Sequence, residues 1–233
     1  MLSLEKKWDE HVLHAEILAR NSGFQALRDH IVRLADLKPG DLVIDVGSGT
    51  GLLALAVAPR VQQIWGIDSA PAMTAYLEAK AASADIHNLR AVTASAACLP
   101  LIDHSVDKVV SNYCLHHLDA DGKRHALTEA FRVLRPGGRL VFADMMFTVA
   151  LRDARDRQVI ASKVRAMLRH GRPGLVRLAR NGLRLASGQW EQPAPAEWWR
   201  TALTEAGFVD VQVTALDHEG GIASATKPGP TAS

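Results

Sequence analysis

Cysteine is nearly absent from this chain. Its 233 residues include two, Cys98 and Cys114, too few for a disulfide framework or a four-cysteine zinc site. Both are expected to be reduced, small, buried thiols of a cytoplasmic protein, and no metal ligands are expected. Ten prolines and 17 glycines are too few for a collagenous or low-complexity chain. A run of about 18 apolar residues, the least that spans a membrane as a helix, occurs nowhere. The first residues carry Glu5, Asp9, Glu10 and Glu16 and lack the apolar segment of a signal peptide, so no export is expected. An excess of one charge is missing too, since 27 Lys and Arg face 25 Asp and Glu for a net +2. Nothing global is then available to displace counterions along a phosphate backbone, which argues against a nucleic-acid partner. What remains, with 48% hydrophobic residues, is core enough for one large domain or a domain with an insert.

Helical spacing marks residues 4–37 in two pieces. The first places Leu4, Trp8, His11, Val12 and Ala15 on one face, and the second Leu27, Ile31, Leu34 and Ala35, with Asn21-Ser22-Gly23 between them. Leu42-Val43-Ile44-Asp45-Val46 then reads as a buried strand. Elements alternate from there: a helix over 52–58, a strand over 63–67, a helix over 71–83, strands at 89–93 and 106–112, a helix over 122–134 stopped by Arg135-Pro136-Gly137-Gly138, and a strand at 139–143. A helix over 195–206 resumes the pattern after a break, and 210–214 with 222–226 form an antiparallel pair turned at Glu219-Gly220-Gly221. The fold class expected is α/β: a doubly wound, mostly parallel seven-stranded sheet with an antiparallel C-terminal strand and a helical lid.

Directly after the first strand stands Asp45-Val46-Gly47-Ser48-Gly49-Thr50-Gly51. Glycines there let a ligand approach the backbone, and the N–H groups that open the next helix face it. A dinucleotide fingerprint needs G-x-G-x-x-G, but position 52 is leucine and the third glycine comes one residue early; a P-loop needs a Gly-Lys-Ser/Thr that is missing. Asp45 would repel a pyrophosphate and attract a cationic amine or sulfonium. Asp68 ends the second strand, where a carboxylate accepts both hydroxyls of a ribose. Capping the next helix is its alternative role, one that Ser69 also suits.

Four ordered segments, DVGSGTG at 45–51, IWGIDSAPAM at 64–73, Leu99-Pro100 through VVSNYCLHHL to 118, and EAFRVLRPGGRLVFAD at 129–144, resemble the class I S-adenosylmethionine-dependent methyltransferases of small-molecule type. The resemblance is close over 40–144 and looser at Glu205-Ala206-Gly207-Phe208. It implies S-adenosylmethionine as cofactor and S-adenosylhomocysteine as product. By the same resemblance Gly47, Gly49 and Gly51 line the methionyl and ribose part, Asp68 binds the ribose hydroxyls, Met73 packs on the adenine, and backbone at Asn112 faces the amino-acid end. Asp45 would act through water or backbone near the amino group, and Ser48, Ser69 and Ala96 complete the expected contacts. Ser95 stands where the family often carries an acidic residue that accepts the adenine amino group, and a neutral hydroxyl makes a weaker bond there.

Methyl transfer needs a base only when the acceptor must lose a proton. His116 and His117 follow the fourth strand, on the sheet edge where ligands of open α/β folds bind, and either suits proton transfer near neutral pH. Asp144 ends the fifth strand on that edge, placed to orient a histidine or to remove a proton itself. Some sugar and natural-product O-methyltransferases that this segment resembles use a histidine and an acidic residue there; a structural role for either histidine is the competing reading. Cys114 brings arsenite methylation to mind, but that family wants three cysteines.

Residues 151–185 hold ten Arg or Lys against Asp153 and Asp156, a local +8. Val159, Ile160, Val164, Met167 and Leu168 share one helical face, and Leu175, Leu178, Ala179 and Leu183 a second, which reads as a helical hairpin. Its arginines are a solvated face, a site for an anionic acceptor, or an amphipathic surface for anionic lipid. Few aromatics interleave them, so RNA bases find no stacking platform. Trp198 and Trp199 are expected to pack the last helix on the sheet, and Trp190 to line the acceptor site. The chain thus divides into a helical cover (1–38), a cofactor-binding core (39–144), a basic lid (145–190), the last helix and strands (191–228) and a tail (229–233). The function expected is transfer of a methyl group to a small-molecule acceptor, most readily at oxygen, by a cytoplasmic protein with a lid suited to a membrane surface. Methylation of a lipid and a non-catalytic cofactor-binding regulator are the alternatives.

Overall fold

The computed structural model of the chain describes residues 11–148, 154–169, 171 and 191–229. Its strands are β1 (Leu42–Val46), β2 (Gln63–Asp68), β3 (Leu89–Thr93), β4 (Val106–Asn112), β5 (Leu134–Met145), β6 (Val209–Ala215) and β7 (Gly220–Thr226). They form one seven-stranded sheet in the order β3-β2-β1-β4-β5-β7-β6. β7 runs antiparallel to β5 and β6, and the other neighbours pair in parallel. This is the doubly wound sheet that the alternation of elements predicts. Its described helices are α1 (Val12–Ala19), α2 (Ser22–Ala35), α3 (Ala54–Val57), α4 (Pro71–Ser83), α5 (Ala120–Val133), α6 (Ala154–Arg169) and α7 (Ala196–Glu205). None is long and apolar enough to cross a membrane.

The central strands are apolar throughout because both faces of the sheet are covered. Val43, Val110 and Val141 enter one core with Ile31 of α2 and Leu77 of α4. Their chain neighbours Ile44, Val109 and Phe142 enter the other with Leu127 of α5 and Trp199 of α7. The side-chain period of two thus sends each adjacent pair to opposite layers. Trp199 is fully buried, its ring 4.8 Å from that of Phe142, and Trp198 meets it edge-on at 5.0 Å, so the tryptophans fasten α7 to the sheet.

Several boundaries differ from the sequence expectation. The helix placed over 52–58 is the short α3, followed by a 3-10 turn at Ala58–Arg60 that contains Pro59, which cannot extend an α-helix. Arg135-Pro136-Gly137-Gly138 does not simply end α5. Leu134 already pairs with Val106, the register then shifts, and pairing resumes at Lys108 with Arg139, so the four residues form a bulge inside β5. The turn expected at Glu219-Gly220-Gly221 lies earlier, since Gly220 and Gly221 are strand residues opposite Met145 and Asp144. A Cβ at Gly221 would come within 2.8 Å of Met146 Cβ, so this glycine serves close packing rather than a turn. Cys98 is exposed, contrary to the burial expected of it, and Cys114 is partly buried.

α1 turns Leu13 and Ile17 outward and is tied to α4 by an ion pair of Glu16 with Lys80 at 2.8 Å. Leu4 and Trp8 lie outside the described residues. So does the second half of the predicted lid hairpin, with Trp190. In its first half Val159 is buried and Leu168 exposed. Arg155 is not part of a solvated face: its guanidinium donates to the carbonyls of Met146, Leu216, His218 and Gly220 at 2.7–3.1 Å and latches α6 to the β6–β7 turn. Arg157, Arg165 and Arg169 are exposed.

Candidate active site

The chain passes from β1 outward to β2 and β3, then crosses back to β4 on the other side of β1. A crevice opens at such a reversal beyond the carboxyl ends of the strands, here between the loops after β1 and β4. In the β1 loop Gly47, Gly49 and Gly51 all have positive φ, of 72°, 49° and 89°, but for different reasons. A Cβ at Gly47 would collide with Cys114 Sγ, and one at Gly51 with the Leu77 side chain, so protein packing excludes side chains at both. A Cβ at Gly49 would meet nothing within 4 Å, which leaves Gly49 as the glycine facing open space.

The loop amides do not face outward as a phosphate cradle would require. Gly47 and Ser48 N–H donate to the Ile67 carbonyl at 2.7 and 3.0 Å, and Gly49 N–H to Asp68 Oδ2 at 2.9 Å. Around the same loop three buried groups have no hydrogen-bond partner: both Asp45 carboxyl oxygens, the Ser48 hydroxyl and the Asn112 side-chain carbonyl. Donors are spent and acceptors left over, which suits a ligand that brings an ammonium, a sulfonium or hydroxyls rather than phosphate. Burial pushes the Asp45 carboxyl up to about 8, with the nearby Ala54 amide offsetting part of the shift and the Asp68 charge adding to it. Without a cation beside it, Asp45 keeps its proton at neutral pH.

Asp68 uses one lone pair of each oxygen on backbone, Oδ2 for Gly49 N–H and Oδ1 for Ala70 N–H at 3.0 Å. Its side chain is half-buried at the end of β2, a position from which a carboxylate accepts ribose hydroxyls. Ala70 occupies the cap position of α4 with no side-chain bond, so the alternative in which Ser69 caps this helix is not seen; Ser69, an expected cofactor contact, is exposed beside it. Met73 is buried under the same end of the sheet. Ser95 is exposed and accepts from Ala97 N–H at 3.2 Å, with Ala96 partly buried between them.

The two histidines and Asp144 come together. His116 and Asp144 are buried, with His116 Nδ1 2.5 Å from Asp144 Oδ1 and His116 N–H donating to Oδ2 at 3.1 Å. Met145 N–H donates to Oδ1 at 2.6 Å. Both oxygens of Asp144 are therefore engaged and buried, an arrangement better suited to orienting His116 than to taking a proton from an acceptor directly. His117 is exposed, its ring centroid 3.9 Å from that of His116. Cys114 packs on the loop glycine, and burial, with the charges of Asp68, Asp144 and Asp45, holds its thiol well above the ordinary range; such a thiol is a poor metalloid ligand.

Three neighbours escaped the sequence reading. Tyr113, at φ 55°, turns its ring against Phe24 and His116; its place just after a strand end is the only signal it carried. Lys123 is buried and donates to the Leu118 carbonyl, and burial pulls its ammonium below the usual lysine range, partly offset by Asp144 and Asp119. Glu191 lies near both histidines and has no local motif.

Residues 43–138 match the sequence family described as a methyltransferase domain. That stretch, β1 to the bulge of β5, is a methyltransferase domain. Over 122 residues the chain is 34% identical to an arsenite methyltransferase of Halobacterium salinarum, covering 51% of this chain and 31% of that protein. A 27-O-demethylrifamycin SV methyltransferase of Amycolatopsis mediterranei is 31% identical over 150 residues, 61% of this chain and 54% of that protein. The chain thus spans from about a third to about half the length of these relatives. In fold it is similar to an S-adenosylmethionine-dependent methyltransferase of Aquifex aeolicus, with a TM-score of 0.65 at 19% identity over 94% of this chain and 97% of that one. The leftover polar groups of the crevice, Asp45, Ser48 and Asn112, fit a cationic, hydroxyl-bearing cofactor such as S-adenosylmethionine.

Proposed function

We propose that this chain moves a methyl group from S-adenosylmethionine to an oxygen of a small-molecule acceptor, a natural product, sugar or other metabolite. The observation that carries the reading is the buried His116–Asp144 pair beside the cofactor crevice. When bound, the cofactor supplies a methyl carbon made electrophilic by its sulfonium and leaves as S-adenosylhomocysteine. Asp45 and the Asn112 carbonyl would receive its cationic end, and Asp68 its ribose. Asp144 takes the hydrogen on His116 Nδ1, which fixes the tautomer with the Nε2 lone pair free to accept the acceptor's proton. The imidazolium so formed is stabilised by the same carboxylate. The rifamycin relative, whose name describes methylation of a natural product, supports an oxygen acceptor; the scarcity of thiols weighs against the arsenite chemistry named for the other.

A positioned base contributes about 10²–10⁴-fold to rate. His116→Ala is expected to lower turnover by that factor while calorimetric cofactor affinity stays within about twofold. Full turnover in both His116→Ala and Asp144→Asn would contradict the base assignment.

A further inference from the structure

The sequence carries no metal-binding spacing, yet the fold assembles three side chains that suit a metal ion. One ring nitrogen each of His116 and His117 and a carboxylate oxygen of Glu191 lie within 4.8 Å of one another. The histidines share the 3-10 turn Leu115–His117 after β4. Glu191 arrives on the segment before α7, where Gln192 N–H donates to the His116 carbonyl at 2.8 Å and pins the two stretches together.

We propose that His116, His117 and Glu191 bind one first-row divalent transition-metal ion, such as Zn²⁺ or Co²⁺. Two imidazoles and one carboxylate are a donor set for such ions, with positions left open for water, and are a poor match for Mg²⁺ or Ca²⁺, which prefer oxygen alone. Independent support lies behind the site. A metal-ligating histidine almost always gives its other ring N–H to a carboxylate, a backbone carbonyl or water, and His116 Nδ1 already meets Asp144, itself fixed by two backbone amides. With the hydrogen on Nδ1, Nε2 of His116 keeps the lone pair that can take an ion. Tetrahedral coordination at the usual bond lengths sets donors about 3.3 Å apart, so the three donors would draw closer as the ion binds.

The consequence for catalysis rests on the proposed function. An ion on His116 Nε2 occupies the lone pair that would accept a proton, so ion binding and methyl transfer exclude each other, and the ion acts as an inhibitor.

The test uses the full chain without a histidine tag. Co²⁺ titration followed by visible absorption, and Zn²⁺ titration by calorimetry, should show one ion per chain. Glu191→Gln and His117→Ala should each weaken binding by about tenfold or more, and Asp144→Asn by about 10–100-fold, with circular dichroism confirming that the variants fold. No saturable binding, or binding unchanged in both Glu191→Gln and His117→Ala, overturns the site. Zn²⁺ should inhibit methyl transfer reversibly by chelator, and Glu191→Gln, compared with its own zinc-free rate, should need about tenfold or more Zn²⁺ for the same inhibition. Undiminished turnover at saturating Zn²⁺ overturns the inhibitory role. The cobalt spectrum reads the site even if no acceptor is turned over, so a failure of the methyl-transfer reading stays separate from a failure of the metal site.

Discussion

Asp45 sits almost fully enclosed with neither oxygen bonded, and its carboxyl is raised from an ordinary 3.8 to about 8. Between those values the folded chain holds a proton that the unfolded chain has released. The stability associated with this proton is fully present below pH 3.8 and lost as pH rises through about 8. Binding a cation there should ionise Asp45 and release a proton near pH 7. Calorimetry of S-adenosylmethionine binding in buffers of different ionisation enthalpy should therefore show proton release that disappears in Asp45→Asn. The lost charge-assisted contact should weaken affinity by about 10–100-fold in that variant; equal affinity and equal proton release would refute the role. At this scale the sign of the ligand was legible from one carboxylate in a glycine loop. That the loop amides turn inward to Ile67 and Asp68 was not, because a glycine motif says where backbone is bare and not which way its N–H groups point.

Elements carry their own tests. Gly47 combines a φ of 72° with direct contact to Cys114, so Gly47→Ala strains the β1 loop against the loop after β4. A cost of about 1–3 kcal/mol, measured by denaturant unfolding, is the expected outcome; a variant as stable as the parent would show that the two loops yield freely. Arg155→Ala removes the latch between α6 and the β6–β7 turn. Amide exchange over 154–169 should then accelerate while the central strands keep their protection, and unchanged exchange would mean that other contacts, such as buried Val159 and the Asp156–Thr148 bond, suffice to hold α6. Strand and helix identities were readable because the period changes between 2 and about 3.6. The bulge at Arg135–Gly138 and the misplaced β6–β7 turn were not, because proline and glycine announce a break in regular backbone without distinguishing a turn from a bulge, or from the close approach of Met146 to Gly221.

Over the whole molecule the net +2 hides a division. Residues 151–185 carry +8, and the rest of the chain has 17 basic against 23 acidic residues. Arg155 shows that part of this basic charge is spent inside the fold. Long-range assembly set the limit of sequence reading: Asp144 and the histidines could be placed on one sheet edge by topology, whereas Glu191 joins them only through a backbone bond between distant segments. The central claim is that the crevice at the β1–β4 reversal transfers a methyl group, and the most direct measurement is mass spectrometry of a metabolite extract incubated with the protein and labelled S-adenosylmethionine. The expected result is a small molecule that gains about 14 Da plus the mass of the label, the net CH₂ of a CH₃ replacing H from a cofactor that carries the chemistry, with far less of it formed by His116→Ala. Tight cofactor binding with no labelled product in any extract would contradict it.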